Sequence, residues 1–133
     1  MLIFVYGSLK KGFYNHSLIE PFKKVADGTI NGKMYSLGAF PAIVTSNNPD
    51  ELIHGEVYDV NTIDGIRKLD CLEGYDPHSE DNFYDRIPVN CKTTTGEVIE
   101  VYVYCFKGKS AERLLEKERI QNGIWKENFY RFY

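Results

Sequence analysis

Glu73 is the polar residue whose position in the sequence is hardest to explain. The apolar residues before it recur at every third position, namely Ile63, Ile66, Leu69 and Leu72. This spacing predicts an amphipathic helix that ends at Gly74, with Glu73 near the middle of its apolar face. Desolvation there would raise the pKa of Glu73 toward the range in which one carboxyl can both accept and donate a proton. The spacing also fits a simpler interpretation, in which Glu73 lies in the last turn and points to water.

A second candidate is the 6–10 loop, which consists of Tyr6, Gly7, Ser8, Leu9 and Lys10. A buried strand over residues 2–6 runs into a glycine-containing turn, which exposes consecutive backbone N–H groups. Such a nest of donors can hold a carboxylate or a tetrahedral oxyanion. The loop lacks the spacing of a phosphate-binding loop or of a dinucleotide fingerprint. A ligand-free turn explains the same pattern.

A third candidate is the pair Tyr84 and Arg86, which share one face if they lie on a strand. They would then line a pocket with a phenol and a guanidinium. Alternatively, Arg86 lies at an exposed position of the β-ladder and forms an ion pair with an acidic residue. Asp70 lies near the face of the predicted helix that carries Glu73, where it would pair with Arg67 or cap a turn.

The sequence gives little support for a metal site or a cysteine nucleophile. The 3 histidines stand alone, without HxxH or HxH spacing, and the 3 cysteines form no CxxC pair and have no neighbouring histidine. We therefore expect no metal site.

Composition predicts one globular domain over residues 1–133, with 43% hydrophobic residues and a formal charge of −3. No basic cluster suggests nucleic acid, and no apolar run reaches the length of a membrane span. The N-terminus resembles a strand rather than a signal peptide, and unpaired cysteines favour a reducing compartment. We expect a cytoplasmic protein that is a monomer or a weak homodimer.

Many short strands and few helices predict an α+β fold, a small mixed β-barrel with short helices packed at its edges. Residues 25–37 predict a strand pair or a bent strand, broken at Gly28 and at an Asn31-Gly32 turn. Asn15 is expected to cap a short helix, and residues 111–119 to form a charged helix. The polar loop 75–83 is a plausible lid, and the aromatic tail 129–133 should pack back on the body.

Several segments together resemble the γ-glutamylcyclotransferase-like family. They are, in chain order, VYGSLK at 5–10, NH at 15–16, GKMYSLG at 32–38, FPA at 40–42, GEVYDV at 55–60, LDCLEGY at 69–75, YDR at 84–86, VYVY at 101–104 and GIW at 123–125. The resemblance implies a compact fold on a small mixed barrel. It also implies that the 6–10 loop holds the glutamyl end of a substrate and that Glu73 is the acid/base residue.

The family reaction implies release of 5-oxoproline and an amine from a γ-glutamyl compound, by intramolecular attack of the α-amine, and it implies no metal and no organic cofactor. Which γ-glutamyl compound reacts stays open, although an acidic cover over the site would disfavour an anionic leaving group. A non-catalytic module that binds a small ligand on the same fold is the main alternative. An interaction protein that dimerises through its aromatic tail is another.

Overall fold

The computed structural model describes residues 1–80 and 82–126, so the aromatic tail 129–133 lies outside the described residues. Seven strands are found in the described part of the chain: β1 Leu2–Val5, β2 Lys23–Ser36, β3 Pro41–Thr45, β4 Leu52–Asp59, β5 Asp85–Thr93, β6 Val98–Cys105 and β7 Arg119–Ile120. The helices are α1 Ile63–Glu73, α2 Lys109–Glu112 and the 3-10 helices His16–Leu18 and Arg113–Glu116. The interpretation of residues 1–133 as a single domain stays a prediction.

Five of the strands form a closed mixed barrel in the order β2-β4-β1-β6-β5, with β5 returning to β2. The pair β1–β6 is parallel, and the other pairs around the barrel are antiparallel. Strands β3 and β7 extend β2 beyond the barrel. The predicted α+β class, with a small mixed barrel and short helices at its edges, is confirmed.

Barrel closure depends on close backbone approach at two glycines. Gly28 of β2 faces Gly55 of β4, and Gly28 also pairs with Thr93 of β5 at the closing seam. A Cβ on Gly28 would lie 2.7 Å from the Lys92 carbonyl oxygen, and one on Gly55 would lie 2.4 Å from the Val5 carbonyl oxygen. Only glycine lets the strands approach this closely.

The predicted break within residues 25–37 is wrong. Strand β2 runs continuously through Gly28 and through the Asn31-Gly32 pair, with one register shift between Lys24 and Ala26. Asn31 pairs with Leu52 of β4, so the long partner strand holds this segment extended. Local turn propensity is overridden by pairing along almost the whole of β4.

Strand β1 contributes to two apolar clusters because its side chains alternate between its two faces. Ile3 and Val5 pack with Leu69 of α1, whereas Phe4 and Tyr6 pack in a second cluster with Trp125. This burial on both faces confirms that the N-terminal segment is a buried strand, and it places the 6–10 loop at the end of a rigid element.

Helix α1 ends at Gly74, as predicted, and begins after Thr62. The Thr62 hydroxyl accepts a hydrogen bond from the Gly65 amide at 3.0 Å, and Gly74 ends the helix in the left-handed conformation at φ 66°. Leu69 is buried, whereas Ile63 is 73% exposed. Three-residue spacing drifts around a helix of 3.6 residues per turn, so the ends of the apolar series leave the buried face.

Two other helix predictions need correction. The segment expected to be one helix over 111–119 is α2, Lys109–Glu112, followed by the 3-10 helix Arg113–Glu116, and β7 begins at Arg119. Asn15 precedes the 3-10 helix His16–Leu18 but makes no side-chain capping bond to it. Within residues 1–80 and 82–126, no helix is long and apolar enough to cross a membrane.

A single carboxylate attaches α1 to the barrel wall. Asp70 accepts hydrogen bonds from the Arg86 guanidinium of β5 at 2.5 and 2.7 Å and from the Tyr104 hydroxyl of β6 at 2.6 Å. Both charged side chains of this ion pair are only 16% exposed. The pair is therefore poorly screened, and it fixes the helix one turn before Glu73.

We expect Arg86→Met to lower the free energy of unfolding by about 2–3 kcal/mol, because it leaves the Asp70 carboxylate without its cation. Urea unfolding followed by circular dichroism measures this change. Lys68→Met is the matched control, because Lys68 forms an exposed ion pair on α1, the helix that carries Asp70. Its partner is Asp64, the two side chains are 62% and 78% exposed, and loss of the pair should change stability by less than about 0.5 kcal/mol. Equal effects of the two variants would contradict an anchoring role for Arg86.

Candidate active site

A cavity of about 270 Å³, here called the main cavity, lies where the 6–10 loop, the end of α1 and the start of β5 meet. Six of the eight residues predicted from the sequence line it: Tyr6, Gly7, Ser8, Leu9, Glu73 and Tyr84. The other residues in its lining include Tyr14, Asn15, Phe40, Pro41 and Tyr104. The fold therefore brings together two segments that are more than sixty residues apart in the sequence.

Local hydrogen bonds hold the 6–10 loop in shape. The Ser8 carbonyl accepts from the Asn15 amide at 2.9 Å, and the Asn15 side-chain amide donates to the Ser8 hydroxyl at 2.9 Å. His16 Nδ1 lies 2.9 Å from the Leu9 carbonyl oxygen. Asn15 therefore braces this loop instead of capping its own helix.

The loop leaves three consecutive amides available. None of the described residues, 1–80 and 82–126, accepts a hydrogen bond from the N–H groups of Gly7, Ser8 or Leu9. A Cβ on Gly7 would lie 2.9 Å from Pro41 Cγ, so the backbone here can pack against Pro41 only because the residue is glycine. Amides without protein partners at a cavity wall suit a carboxylate or an oxyanion.

Burial raises the pKa of Glu73 to about 7. The residue as a whole is half-buried, but its carboxyl lies deep enough for desolvation to dominate. It forms no ion pair or hydrogen bond with any described residue. A carboxyl held near neutrality without a partner can exchange a proton with a bound molecule.

Two buried phenols lie near this carboxyl. The Tyr6 hydroxyl donates to the Tyr104 carbonyl at 2.5 Å, and the Tyr84 hydroxyl donates to the Pro41 carbonyl at 2.7 Å. Burial, with a smaller contribution from the Glu73 charge, raises the pKa of Tyr84 far above its ordinary value. Burial also raises the pKa of Tyr6, with smaller contributions from Tyr84 and Glu73. Both phenols therefore stay neutral near pH 7.

Lys10 and Arg86 are predicted site residues whose side chains do not line the main cavity. The Lys10 ammonium donates to the Trp125 carbonyl at 2.8 Å and lies 4.7 Å from the centre of the Phe13 ring. Arg86 is paired with Asp70, as the alternative interpretation expected, but its side chain is largely buried and does not lie on an exposed ladder. Arg86 acts on the site through the helix that carries Glu73.

Sequence reasoning missed Asn15, Pro41 and Tyr104 as site residues. All three belong to the segments that carry the family resemblance, which was the available signal. Their contribution is through the loop brace and through backbone carbonyls, which side-chain chemistry alone does not reveal. No group of three or more His, Cys, Asp or Glu that could hold a metal ion occurs in the described ranges 1–80 and 82–126.

Comparison with known proteins agrees with the geometry. The family model described as gamma-glutamyl cyclotransferase, AIG2-like, matches residues 3–127. A Methanocaldococcus jannaschii protein, provisionally named a gamma-glutamylcyclotransferase, is 34% identical over 110 residues, which cover 78% of this chain and 82% of that protein. The gamma-L-glutamyl-butirosin B gamma-glutamyl cyclotransferase of Niallia circulans is 29% identical over 106 residues, covering 77% of this chain and 65% of that protein.

The fold agrees as well. The crystal structure of an AIG2-like protein from Mus musculus aligns with a TM-score of 0.73 at 20% identity, covering 99% of this chain and 97% of that one. Because the family model spans nearly the whole sequence and the archaeal relative aligns over most of it, the chain belongs to the gamma-glutamyl cyclotransferase, AIG2-like family.

Proposed function

We propose that the protein is a γ-glutamyl cyclotransferase that releases 5-oxoproline and an amine from a γ-glutamyl compound, with Glu73 as general acid and base. The observation that carries this proposal is the position of the Glu73 carboxyl, which lies in one cavity with the 6–10 loop. Burial raises the pKa of this carboxyl to about 7. Membership of the family supports the activity in general terms.

The reaction needs no nucleophile from the protein. The α-amine of the substrate attacks its own γ-carbonyl carbon, a C–N bond closes a five-membered ring, and the bond to the leaving nitrogen breaks. The enzyme must hold the substrate folded so that the amine approaches the carbonyl. Tyr6 and Tyr84, both buried, line the main cavity in which the folded substrate would lie.

One carboxyl suffices for the proton transfers. The ionised Glu73 takes a proton from the α-ammonium, which frees the lone pair for attack, and then gives that proton to the leaving nitrogen. The attacking nitrogen loses a second proton when it becomes the lactam N–H, and this proton passes through Glu73 to the departing amine, which leaves as an ammonium ion. Glu73 ends the cycle ionised, so no net proton is consumed. A pKa near neutrality makes both transfers feasible at physiological pH.

The amides of Gly7, Ser8 and Leu9, which have no acceptor within residues 1–80 and 82–126, would bind a negatively charged oxygen. The candidates are the substrate α-carboxylate and the oxyanion that forms on the γ-carbonyl. The Asn15 side chain keeps this loop fixed through Ser8, so the donors are already oriented before the substrate arrives. No metal or organic cofactor is needed for these steps.

The name of the Niallia circulans relative gives γ-L-glutamyl-butirosin B as the compound on which it acts. That supports a γ-glutamyl substrate here and leaves its amine part open. A module that only binds a γ-glutamyl-like ligand is the competing function. It would need the cavity and the loop but not a carboxyl with a raised pKa.

We expect Glu73→Gln to lower kcat/KM by at least about a hundredfold, because the amide cannot carry the proton. The measurement is 5-oxoproline release from a panel of γ-glutamyl amines and γ-glutamyl amino acids. Asp64→Asn is the control, since Asp64 is an exposed acid at the other end of the same helix. Undiminished product from Glu73→Gln would exclude the assigned mechanism, and no product from any substrate with the wild type would favour the binding module.

The pH profile of the wild type should show an acid limb. Because the free enzyme must hold Glu73 ionised, kcat/KM should fall about tenfold per pH unit well below the pKa of about 7. A profile that stays flat between pH 5 and pH 8 (roughly two pH units below and one above that pKa) would be inconsistent with Glu73 as the base.

Stability should depend on pH in the opposite sense. The folded protein binds the Glu73 proton more tightly than the unfolded chain does, since the pKa rises from 4.5 to about 7 on folding. The contribution of Glu73 to the free energy of unfolding of the wild type is therefore greatest below pH 4.5, and it decreases as the pH rises to about 7. Glu73→Gln should be more stable than the wild type at about pH 8, by at most about 3 kcal/mol, and equal to it near pH 4. Urea unfolding at both pH values measures this, and a variant less stable at both would contradict it.

A further inference from the structure

A second depression opens beside the main cavity. It has a volume of about 460 Å³, and we call it the outer groove. Phe40, Leu72, Glu73 and Tyr84 line both spaces. A group bound in the outer groove therefore lies next to the same carboxyl as a group bound in the main cavity.

The walls of the outer groove are mostly apolar. Phe40, Leu72 and Phe83 are large apolar side chains that stay exposed, and all three line it. Phe106 packs beneath them, with its ring centre 6.2 Å from that of Phe83 and 4.7 Å from that of Tyr84. Exposed aromatic side chains gathered around one concave surface are typical of a site for an apolar group.

Two cations stand at the edge of the outer groove. Arg113 and Lys117 both line it, and the Arg113 guanidinium carbon lies 5.0 Å from the centre of the Phe83 ring. Neither forms an ion pair with any residue in the described ranges 1–80 and 82–126. Cations without an acidic partner beside an apolar surface favour a ligand that carries both an apolar group and an anion.

We propose that the outer groove binds the leaving amine of the substrate, and that this amine is an amino acid with a large apolar side chain. The inference rests on the proposed function. The γ-glutamyl part occupies the main cavity, the apolar side chain lies against Phe40 and Phe83, and the α-carboxylate meets Arg113 and Lys117. When the bond to the leaving nitrogen breaks, Glu73 gives that nitrogen its proton, and the free amino acid departs through the outer groove.

This assignment reverses the expectation drawn from the acidic loop 75–83. Phe83, the last residue of that loop, is turned to the groove and held there by its carbonyl, which accepts from the Ser110 hydroxyl at 3.0 Å. The charges that line the outer groove besides Glu73 are cationic. An anionic leaving group is thus favoured at this wall.

Three probes separate the two parts of the inference. They are γ-glutamylphenylalanine, which is large and anionic, γ-glutamylglycine, which is small and anionic, and the γ-glutamyl amide of phenethylamine, which is large and uncharged. Release of 5-oxoproline gives kcat/KM for the wild type, for the double variant Arg113→Gln with Lys117→Gln, and for Lys109→Gln. Lys109 is an exposed cation at the start of α2 that does not line the outer groove.

We expect the wild type to prefer γ-glutamylphenylalanine over γ-glutamylglycine by at least about tenfold, because a benzyl group becomes buried. It should prefer γ-glutamylphenylalanine over the uncharged amide by about fivefold, as expected for exposed ion pairs. The double variant should lose the preference for the carboxylate and keep the preference for the large side chain. Lys109→Gln should keep both.

A wild type that treats large and small leaving groups alike would overturn the apolar part of the inference. A double variant that retains the preference for the carboxylate would overturn the charged part. Calorimetry with the same probes and the Glu73→Gln variant measures the affinity of the outer groove for each leaving group in the absence of turnover. If no probe yields 5-oxoproline, the proposed function fails, and an absence of both preferences in calorimetry would show separately that the groove assignment is wrong.

Discussion

The structure of the site depends on the Asp70 carboxylate. It accepts hydrogen bonds from the Arg86 guanidinium of β5 and from the Tyr104 hydroxyl of β6. One side chain therefore connects the last turns of α1 to two barrel strands. The Tyr104 carbonyl in turn accepts from the Tyr6 hydroxyl at the base of the 6–10 loop. Loop, helix and barrel are therefore joined through one hydrogen-bonded series. A buried ion pair adds little net stability over apolar packing, but losing one partner is costly, which makes it suited to fixing a geometry.

The contrast between Asp70 and Glu73 explains how two carboxyls on one helix can have different tasks. Asp70 has three hydrogen-bond contacts to donors, whereas Glu73 has none from the described residues. No hydrogen bond from the described residues therefore offsets the loss of hydration of the Glu73 carboxylate, and its pKa rises to about 7. The neighbouring phenols cannot relieve it, because each donates its proton to a backbone carbonyl. The energetic cost of that unpaired acid is tolerable because Asp70 holds the helix in place three residues earlier.

Local signals in the sequence are sufficient for α1, because the apolar periodicity and the terminating Gly74 both belong to the helix and its C-terminal cap. They were insufficient wherever a distant strand decides the outcome. Asn31-Gly32 has turn propensity, yet pairing with β4 keeps it extended. Lys10 was predicted at the site because it adjoins the glycine turn, but its ammonium bonds to Trp125, 115 residues further along the chain. The sequence suggests Arg67, three residues away, as a partner of Asp70, whereas Arg86 reaches Asp70 only through the register of β5 with β6.

The two spaces around Glu73 are built from different parts of the chain, and this has a consequence for specificity. The main cavity is formed largely by the β1 end, the 6–10 loop and α1, all fixed by the barrel and by Asp70. The outer groove adds the end of loop 75–83 and the short 3-10 helix Arg113–Glu116, which lie outside the barrel strands. Side chains on such peripheral segments can change without disturbing strand pairing. Under the proposed function, the residues for ring closure are thus separate from those that would select the leaving amine, such as Phe83, Arg113 and Lys117.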